Sequence, residues 1–280
     1  MDNKKILVIQ EISCYGQTSS TVSVAVLSAF GFETAILPTS IKSTHGFGFS
    51  GMSEMDLTEY MAKTIEHWRS EHIQFDSILV GKIVNGKQFE YIKEAKDYLL
   101  KDDGIFIVDP SLGKNGDLDS NLDIDIISGY IDLCSVADYI FPNVTDACLM
   151  TRHDYNYYHD DSYLNDLISE VVGIGAKNIV ITGVMDDEYS IGCVSYDGLV
   201  KTTIIKEKLE KSYPGVGDLF SALMTAYINS GVVLKGAIDY STDFVYDAIE
   251  NTMDDQFHDY GLKYEQFIKE YLNKKDPRYQ

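Results

Sequence analysis

The sequence predicts an α/β fold with a mostly parallel, doubly wound sheet and helices on both faces. Short apolar runs recur along the chain, amphipathic stretches separate them, and several runs end in a polar or Gly/Pro loop. The runs at residues 105–108 and 139–141, for example, end directly in Asp109 and Pro142. Strand, loop and helix repeated in this order are typical of a parallel sheet with crossover connections.

The individual elements follow from hydrophobic periodicity. The predicted strands are residues 6–9, 34–37, 77–80, 105–108, 139–141 and 178–181. The predicted helices are residues 20–30, 57–68 and 91–100. Gly31 follows the first helix as a C-cap. No linker or repeat interrupts the chain, so we expect residues 1–280 to form a single domain.

Two segments depart from this alternation. Residues 36–51 are rich in Thr, Gly and His, and we interpret them as a loop that covers the substrate. Residues 189–205 alternate around Asp197-Gly198, which predicts an antiparallel hairpin at the edge of the sheet.

The charge balance limits the partners of this protein. The chain carries 44 acidic and 23 basic residues, a formal net charge of −21. Such a surface repels nucleic acid and anionic lipid, so we expect neither as a partner. A nucleotide site must therefore obtain positive potential from backbone amides, helix N-termini and divalent metal.

Cysteine spacing and the first residues indicate the compartment. The four cysteines are widely scattered without a CxxC pair, which favours buried, reduced thiols. We find neither a signal peptide nor a run of 18 apolar residues. We therefore expect a cytoplasmic protein.

The most informative motif is Gly215-Val216-Gly217-Asp218. Apolar residues at helical spacing follow it, so the glycines lie where a helix begins. Their exposed amides and the helix dipole form an anion hole for a phosphate. Asp218 in the first turn is placed to accept a proton from an attacking substrate hydroxyl. Alternatively, the glycines only make a turn and Asp218 only complements the dipole.

Polar residues also follow the predicted strands. Asp109, Asn143, Asp146 and Thr182 stand at strand ends, where ligands bind in open α/β sheets. Carboxylate and amide groups there suit Mg²⁺ bound through water. Alternatively, Asn143 only caps a helix and Thr182-Gly183 only terminates a strand.

Taken in order, these motifs resemble the pyridoxal/pyridoxamine kinase family of the ribokinase-like superfamily, close to the hydroxymethylpyrimidine kinase branch. The resemblance extends from residue 6 to about residue 250. Its most specific parts are Ile-Ser-Cys-Tyr-Gly-Gln at residues 12–17 and Leu-Pro-Thr-Ser-Ile-Lys-Ser-Thr-His at residues 37–45. It implies a three-layer α/β/α fold, a homodimer, and transfer of the ATP γ-phosphate to the 5′-hydroxymethyl group of pyridoxal, pyridoxine or pyridoxamine.

The resemblance also implies a substrate site. Glu11, Ser13 and Tyr15 would form a polar floor for the pyridine ring, and Thr44 and His45 would come over it.

For the nucleotide, the resemblance implies contacts to ATP, Mg²⁺ and a monovalent cation. Asp109 and Asp146 would hold the metal through water. The ATP-binding residues would be Asp109, Lys114, Asn143, Asp146, Thr182 and Gly183. Residues 111–116 would form a mobile flap near the phosphates.

The chain departs from the family pattern at several positions. Val216 stands where the family has Thr, Asp146 where it has Glu, and Lys114 where it has Asp. Two alternatives stay open. One is a hydroxymethylpyrimidine (phosphate) kinase of thiamine metabolism, which shares the architecture and phosphorylates a similar heteroaromatic hydroxymethyl group. The other, which these departures favour, is a low-activity or non-catalytic homologue that binds a vitamer or nucleotide.

Overall fold

The computed structural model of this chain describes residues 4–255 and 257–272. Its large sheet contains β1 (Lys5–Ile9), β3 (Glu33–Ile36), β6 (Phe75–Val80), β7 (Leu100–Val108), β10 (Tyr139–Ile140), β11 (Asn178–Val184), β12 (Ser190–Tyr196) and β13 (Lys201–Glu207). The spatial order of these eight strands is β13-β12-β11-β10-β7-β6-β1-β3. The pairs from β3 to β11 are parallel, as predicted.

Nine helices are present in the described part of the chain. They are α1 (Ser20–Ala29), α2 (Thr58–Ser70), α3 (Gln88–Leu99), α4 (Asp125–Ser135), α5 (Val144–Thr151), α6 (Asp161–Ile174), α7 (Val216–Asn229), α8 (Leu234–Met253) and α9 (Glu265–Leu272). The first three agree with the predicted helices to within three residues at each end.

The helices pack on both faces of the sheet. Alternate residues of a strand face opposite sides, so Ile78 and Val80 of β6 join one core cluster and Leu79 joins the other. The first cluster contains side chains of α2 to α6, and the second contains side chains of α1, α7 and α8. This is the predicted three-layer α/β/α arrangement.

Two small sheets lie outside the main one. β2 (Ile12–Ser13), β4 (Ser40–Lys42) and β5 (Glu54–Asp56) form a three-stranded sheet. The interpretation of residues 36–51 as a loop throughout is therefore wrong, because β4 pairs with strands on both sides. β8 (Gly113–Lys114) and β9 (Asp117–Leu118) form a short hairpin within and just after the predicted flap.

The predicted hairpin at the sheet edge is confirmed. β12 and β13 pair in antiparallel fashion from Ser190↔Glu207 to Tyr196↔Lys201, and β13 is the edge strand. Asp197 stabilises the turn, because its Oδ1 accepts hydrogen bonds from the amides of Leu199 (3.0 Å) and Val200 (2.8 Å).

The parallel strands end in register at one edge of the sheet. Ile9 of β1 pairs with Val80 of β6, and Val80 pairs with Val108 of β7. The polar residues that follow these strands therefore emerge side by side. Asp109 is anchored there because its amide donates to the carbonyl of Val80 at 2.8 Å.

Two expectations from composition can be compared with the structure. Cys134, Cys148 and Cys193 are buried free thiols, but Cys14 is exposed, so that part of the cysteine prediction is wrong. Cys14 is exposed because it lies in the bend that follows the two-residue strand β2. Across residues 4–255 and 257–272, no helix has the length and apolar character needed to span a bilayer.

We predict that Leu223→Ala lowers the free energy of unfolding by about 2–5 kcal/mol, because it leaves a cavity beneath α7. Leu223 is fully buried, whereas Leu199 in the hairpin turn is 89% exposed. Leu199→Ala is the matched control and should change stability by less than about 0.5 kcal/mol. Urea unfolding of both variants measures the difference, and equal effects would contradict the described core.

Candidate active site

The N-terminus of α7 lies at the edge where the parallel strands end. Gly215 is its N-cap with φ of +83°, a left-handed conformation that favours glycine. A Cβ atom at Gly215 would lie 2.0 Å from the carbonyl oxygen of Gln17, so no larger residue fits. A Cβ atom at Gly217 would meet nothing within 4 Å. The protein therefore leaves open the space beside Gly217, and the first amides of a helix have no partner within the helix, as an anion hole requires.

Asp218 follows Gly217 in the first turn of α7 and is only partly exposed. We call the space between this turn and the ends of β1, β6 and β7 the cleft. Burial raises the pKa of its carboxyl group, and the negative charge of Glu11 raises it further. Hydrogen bonds from the amide and hydroxyl of Ser19, together with the charge of Lys82, oppose that rise. Ser19 itself has φ of +49°, a conformation that is costly for a residue with a side chain. Ser19 thus adopts a strained backbone conformation in which both its amide and its hydroxyl donate to the Asp218 carboxylate.

Asp109 follows β7 and faces the same cleft. The hydroxyl of Ser221, one turn further along α7, donates to its Oδ2 at 2.6 Å. Burial raises the pKa of Asp109 well above its usual range, and the nearby carboxylates of Asp218 and Asp146 add to the rise. Three carboxyl groups are therefore close enough to repel one another.

Asn143 and Asp146 form a capping box at the start of α5. Asn143 Oδ1 accepts from the Asp146 amide at 2.9 Å, and Asp146 Oδ2 accepts from the Asn143 amide at 3.2 Å. Asp146 Oδ1 also accepts from the amides of Leu112 (2.9 Å) and Gly113 (3.1 Å). Burial nevertheless raises the pKa of Asp146 to about 7. The capping box thus joins the flap to the strand ends.

The remaining predicted nucleotide residues lie on either side of this box. The Thr182 amide donates to the carbonyl of Pro142 at 2.9 Å, which brings Thr182 beside Asn143. Gly183 has φ of +75° at a register shift in β11. Lys114 is exposed on β8 and forms no ion pair among the residues described.

Glu11 and Ser13 lie on the other side of Asp218. The Glu11 carboxylate is buried and forms an ion pair with Lys42 Nζ at 2.7 Å. Burial opposes the charge of Lys42, but Glu11 and Glu54 together raise its pKa. Ser13 pairs with Lys42 in the small sheet, and its Oγ accepts from the Thr18 hydroxyl at 2.9 Å. The predicted polar floor is therefore a network that includes an unpredicted lysine.

Aromatic rings stand above this floor. Tyr15 is half exposed and contacts the rings of Phe49 (5.8 Å between centroids) and Tyr260 (5.1 Å). His45 is buried, its ring lies 5.0 Å from that of Phe49, and its Nε2 lies 3.2 Å from the Tyr260 carbonyl oxygen. Burial lowers the pKa of His45, although that carbonyl and Glu11 oppose the effect. Thr44 Oγ1 is buried beside His45 and has no hydrogen-bond partner among the residues that the structure describes.

The sequence analysis missed four residues of this site: Ser19, Lys42, Lys82 and Ser221. Lys82 carried a usable signal, because it stands two residues after the buried strand that ends at Val80. Ser221 stands one helical turn after Asp218, a position that faces the same side of α7. Ser19 and Lys42 had no signal of their own, since their roles depend on how separate segments meet.

Comparison with known proteins identifies the family. The family model described as phosphomethylpyrimidine kinase matches residues 23–260, which is most of the chain. The chain belongs to this phosphomethylpyrimidine kinase family. It is also 24% identical over 259 residues to a pyridoxine kinase of Bacillus subtilis, with 87% of this chain and 82% of the relative covered. As a member of this kinase family, the chain is a phosphotransferase with an alcohol group as acceptor.

Solved structures agree with this assignment. A phosphomethylpyrimidine kinase-like protein of Bacteroides thetaiotaomicron, crystallised with pyridoxal, is 28% identical, with a TM-score of 0.90 and 96% of each chain covered. Pyridoxal kinase of Lactobacillus plantarum is 26% identical, with a TM-score of 0.88 and 96% of each chain covered. Pyridoxal kinase of Leishmania donovani, solved with ADP and pyridoxamine, is 20% identical, with a TM-score of 0.82. The match covers 97% of this chain and 96% of that chain, so the two proteins share the fold.

We predict that Asp109→Asn stabilises the ligand-free protein at pH 8. The folded pKa of Asp109 lies above its unfolded value of 3.8, so the folded state binds more protons between those two pH values. Stability contributed by this group therefore falls as pH rises through that window. The variant lacks this loss, and its advantage over the natural protein should shrink toward pH 4.

Thermal unfolding at several pH values measures this effect. Asp117→Asn is the matched control, because Asp117 is exposed on β9. A pH-independent difference between Asp109→Asn and the natural protein would contradict the raised pKa.

Proposed function

We propose that this protein is an ATP-dependent kinase that phosphorylates the 5′-hydroxymethyl group of pyridoxal, pyridoxine or pyridoxamine. One observation carries the proposal. Asp218 lies in the first turn of α7, next to the open space at Gly217 and close enough to Glu11 of the polar floor for that charge to raise its pKa, so a substrate hydroxyl and a phosphate can meet beside its carboxylate.

In the proposed reaction, Asp218 is the general base. Its carboxylate accepts the proton of the hydroxymethyl group while the oxygen attacks the γ-phosphorus of ATP. A raised pKa makes Asp218 a stronger base than an ordinary aspartate. The amides of Gly215, Val216 and Gly217 stabilise the charge on the transferred phosphoryl group. Because amides do this work, Val216 in place of Thr preserves it.

The substrate side supports a heteroaromatic alcohol. The floor of Glu11, Ser13 and Lys42 offers charged and hydroxyl partners for ring substituents. Tyr15 and His45 belong to an aromatic wall that a flat ring can pack against. Thr44 Oγ1, buried without a partner, is available to a ring substituent. The pyridoxal bound to the Bacteroides relative supports the same substrate class.

The nucleotide side fits a metal that arrives with ATP. No cluster of three or more His, Cys, Asp or Glu side chains within the described ranges could hold a metal by itself. Asp109 is only partly exposed and fits as an Mg²⁺ ligand through water, because Mg²⁺ keeps most of its waters and binds phosphates. Asp146, whose oxygens accept three amides, fits only an outer position. The metal would neutralise charge on the phosphates.

We assign the other nucleotide contacts to Asn143, Thr182, Gly183 and Lys114. The first three meet at the ends of β10 and β11, beside the flap. Lys114 is a free cation on that flap and suits a phosphate contact. Leishmania and Staphylococcus aureus pyridoxal kinases have been solved with ADP, which supports nucleotide use. A monovalent cation would bind near these nucleotide contacts.

A hydroxymethylpyrimidine kinase is the second candidate. The description of the matching family favours it, and the acceptor is again a hydroxymethyl group on a heteroaromatic ring. Val216, Asp146 and Lys114 favour a non-catalytic binder, but a binder has no need of the strained Ser19 that donates to Asp218.

We further propose that residues 1–280 act as one domain, in a cytoplasmic homodimer. The family match over residues 23–260 supports one catalytic unit.

We predict that Asp218→Asn lowers kcat by about 100- to 10,000-fold, because the hydroxyl proton loses its acceptor. Phosphorylation of pyridoxal, pyridoxine, pyridoxamine and hydroxymethylpyrimidine should be measured in parallel with ATP and Mg²⁺. ATP affinity should change little. Full activity of the variant on the best acceptor would contradict the assignment of the base.

We predict that Gly217→Ala preserves the fold but impairs catalysis. A methyl group at residue 217 meets no protein atom within 4 Å, so the melting temperature should stay the same or rise slightly. The same methyl group narrows the proposed phosphate site, so kcat/KM should fall at least ~10-fold by loss of oxyanion-type contacts. Unchanged kcat/KM would show that no phosphate passes there.

A further inference from the structure

Lys82 lies at the centre of the strand ends. It follows β6 by two residues, and β6 lies between β1, which leads to Glu11, and β7, which leads to Asp109. Its backbone is held in place, because the Thr39 hydroxyl donates to the Lys82 carbonyl at 2.9 Å. The side chain is about three-quarters buried, with 24% exposed. The backbone of Lys82 is thus fixed, and its long side chain starts between the strand ends that lead to the acidic residues of the cleft.

The side chain has one ion-pair partner in the described chain. Lys82 Nζ lies 3.2 Å from Asp119 Oδ2, just after the β8–β9 hairpin. The Asp119 amide donates to the Leu112 carbonyl at 2.8 Å, so this carboxylate belongs to the flap. Burial opposes ionisation of Asp119, but its Asn121 and Lys82 contacts lower its pKa. The contact therefore joins a lysine to a carboxylate next to the flap.

The charge of Lys82 also reaches the two sides of the cleft. It opposes the rise that burial causes in the pKa of Asp218, the proposed base. The strand order places Lys82 between the segments that carry Glu11 and Asp109, and the contact with Asp119 places its ammonium group beside the flap. In a protein of net charge −21, a cation at this point offsets the charge that ATP brings.

We propose, as an extension that rests on the proposed function, that Lys82 is a further catalytic residue whose ammonium group binds the γ-phosphoryl group during transfer. In that step a bond forms between the hydroxymethyl oxygen and the γ-phosphorus. The bond from the γ-phosphorus to the β,γ-bridging oxygen breaks, and ADP leaves with the electron pair. The hydroxyl proton goes to Asp218. Lys82 stays protonated and moves from Asp119 toward the phosphoryl oxygens.

The competing explanation is that the Lys82–Asp119 pair only fastens the flap. The two explanations differ for Asp119→Asn, which breaks the ion pair but keeps the lysine charge. If the ion pair only holds the flap in place, Asp119→Asn and Lys82→Met should lower kcat to the same extent. If Lys82 binds the phosphoryl group, Lys82→Met should lower kcat by about 100-fold, and Asp119→Asn by no more than a few-fold. Lys82→Arg, which keeps the charge, should recover part of the loss.

A nucleotide titration tests Lys82 without any acceptor. Affinities for ADP and for a non-hydrolysable ATP analogue are measured with Mg²⁺ by calorimetry, for the natural protein, Lys82→Met, Asp119→Asn and Lys87→Met. Lys87 pairs with Glu59 on the exposed surface, so its variant controls for loss of a lysine and an ion pair. Lys82→Met alone should weaken the analogue by about 10-fold more than ADP, the effect of one charged contact.

The outcomes separate this proposal from the proposed function. If no acceptor is phosphorylated but Lys82→Met selectively weakens the ATP analogue, the acceptor assignment fails and the phosphoryl contact stands. If turnover occurs but Lys82→Met weakens both nucleotides equally, or matches Asp119→Asn in kcat and affinity, the role of Lys82 is overturned and the kinase assignment stands. Thermal unfolding of each variant verifies that it is folded.

Discussion

The burial of three carboxyl groups at one edge of the sheet is the constraint on which the rest of this site depends. Asp109, Asp146 and Asp218 are desolvated together, and burial is the largest influence on the pKa of each. Buried charge of one sign is costly unless hydrogen bonds or opposite charges compensate it. Each carboxyl group has its own compensation in this protein, and those compensations fix the surrounding segments.

The compensating groups come from distant parts of the chain. Ser19 at the start of α1 donates to Asp218, Ser221 in α7 donates to Asp109, and the flap amides donate to Asp146. These bonds therefore join the first turns of α5 and α7 to the flap, to the start of α1 and to the end of β7. The core beneath supplies the stability that permits this arrangement, because the parts of β1, β6 and β7 that lead to this edge are apolar and buried on both faces. The negative charge that these carboxyl groups still carry suits a site that receives a cation along with a nucleotide.

Much of the fold could be predicted from sequence, since apolar runs and turn residues report directly on a parallel sheet. The six predicted strands and the edge hairpin are present in the structure. The small sheet of β2, β4 and β5 could not be predicted, because two- and three-residue strands carry no measurable periodicity. For the site, motifs revealed residues such as Asp218 and Asp109, whose position follows from a strand or helix end. Lys42, by contrast, belongs to the site only because β4 pairs with β2, which the sequence does not indicate.

The central claim is that a substrate hydroxyl meets the phosphate beside Asp218. A crystal structure with pyridoxal and a non-hydrolysable ATP analogue tests it most directly. The account predicts the 5′-hydroxyl oxygen about 2.6–3.2 Å from the Asp218 carboxylate, with the γ-phosphate over the amides of Gly215 to Gly217. A vitamer bound with its hydroxymethyl group turned away from Asp218, or a γ-phosphate distant from α7, would contradict it.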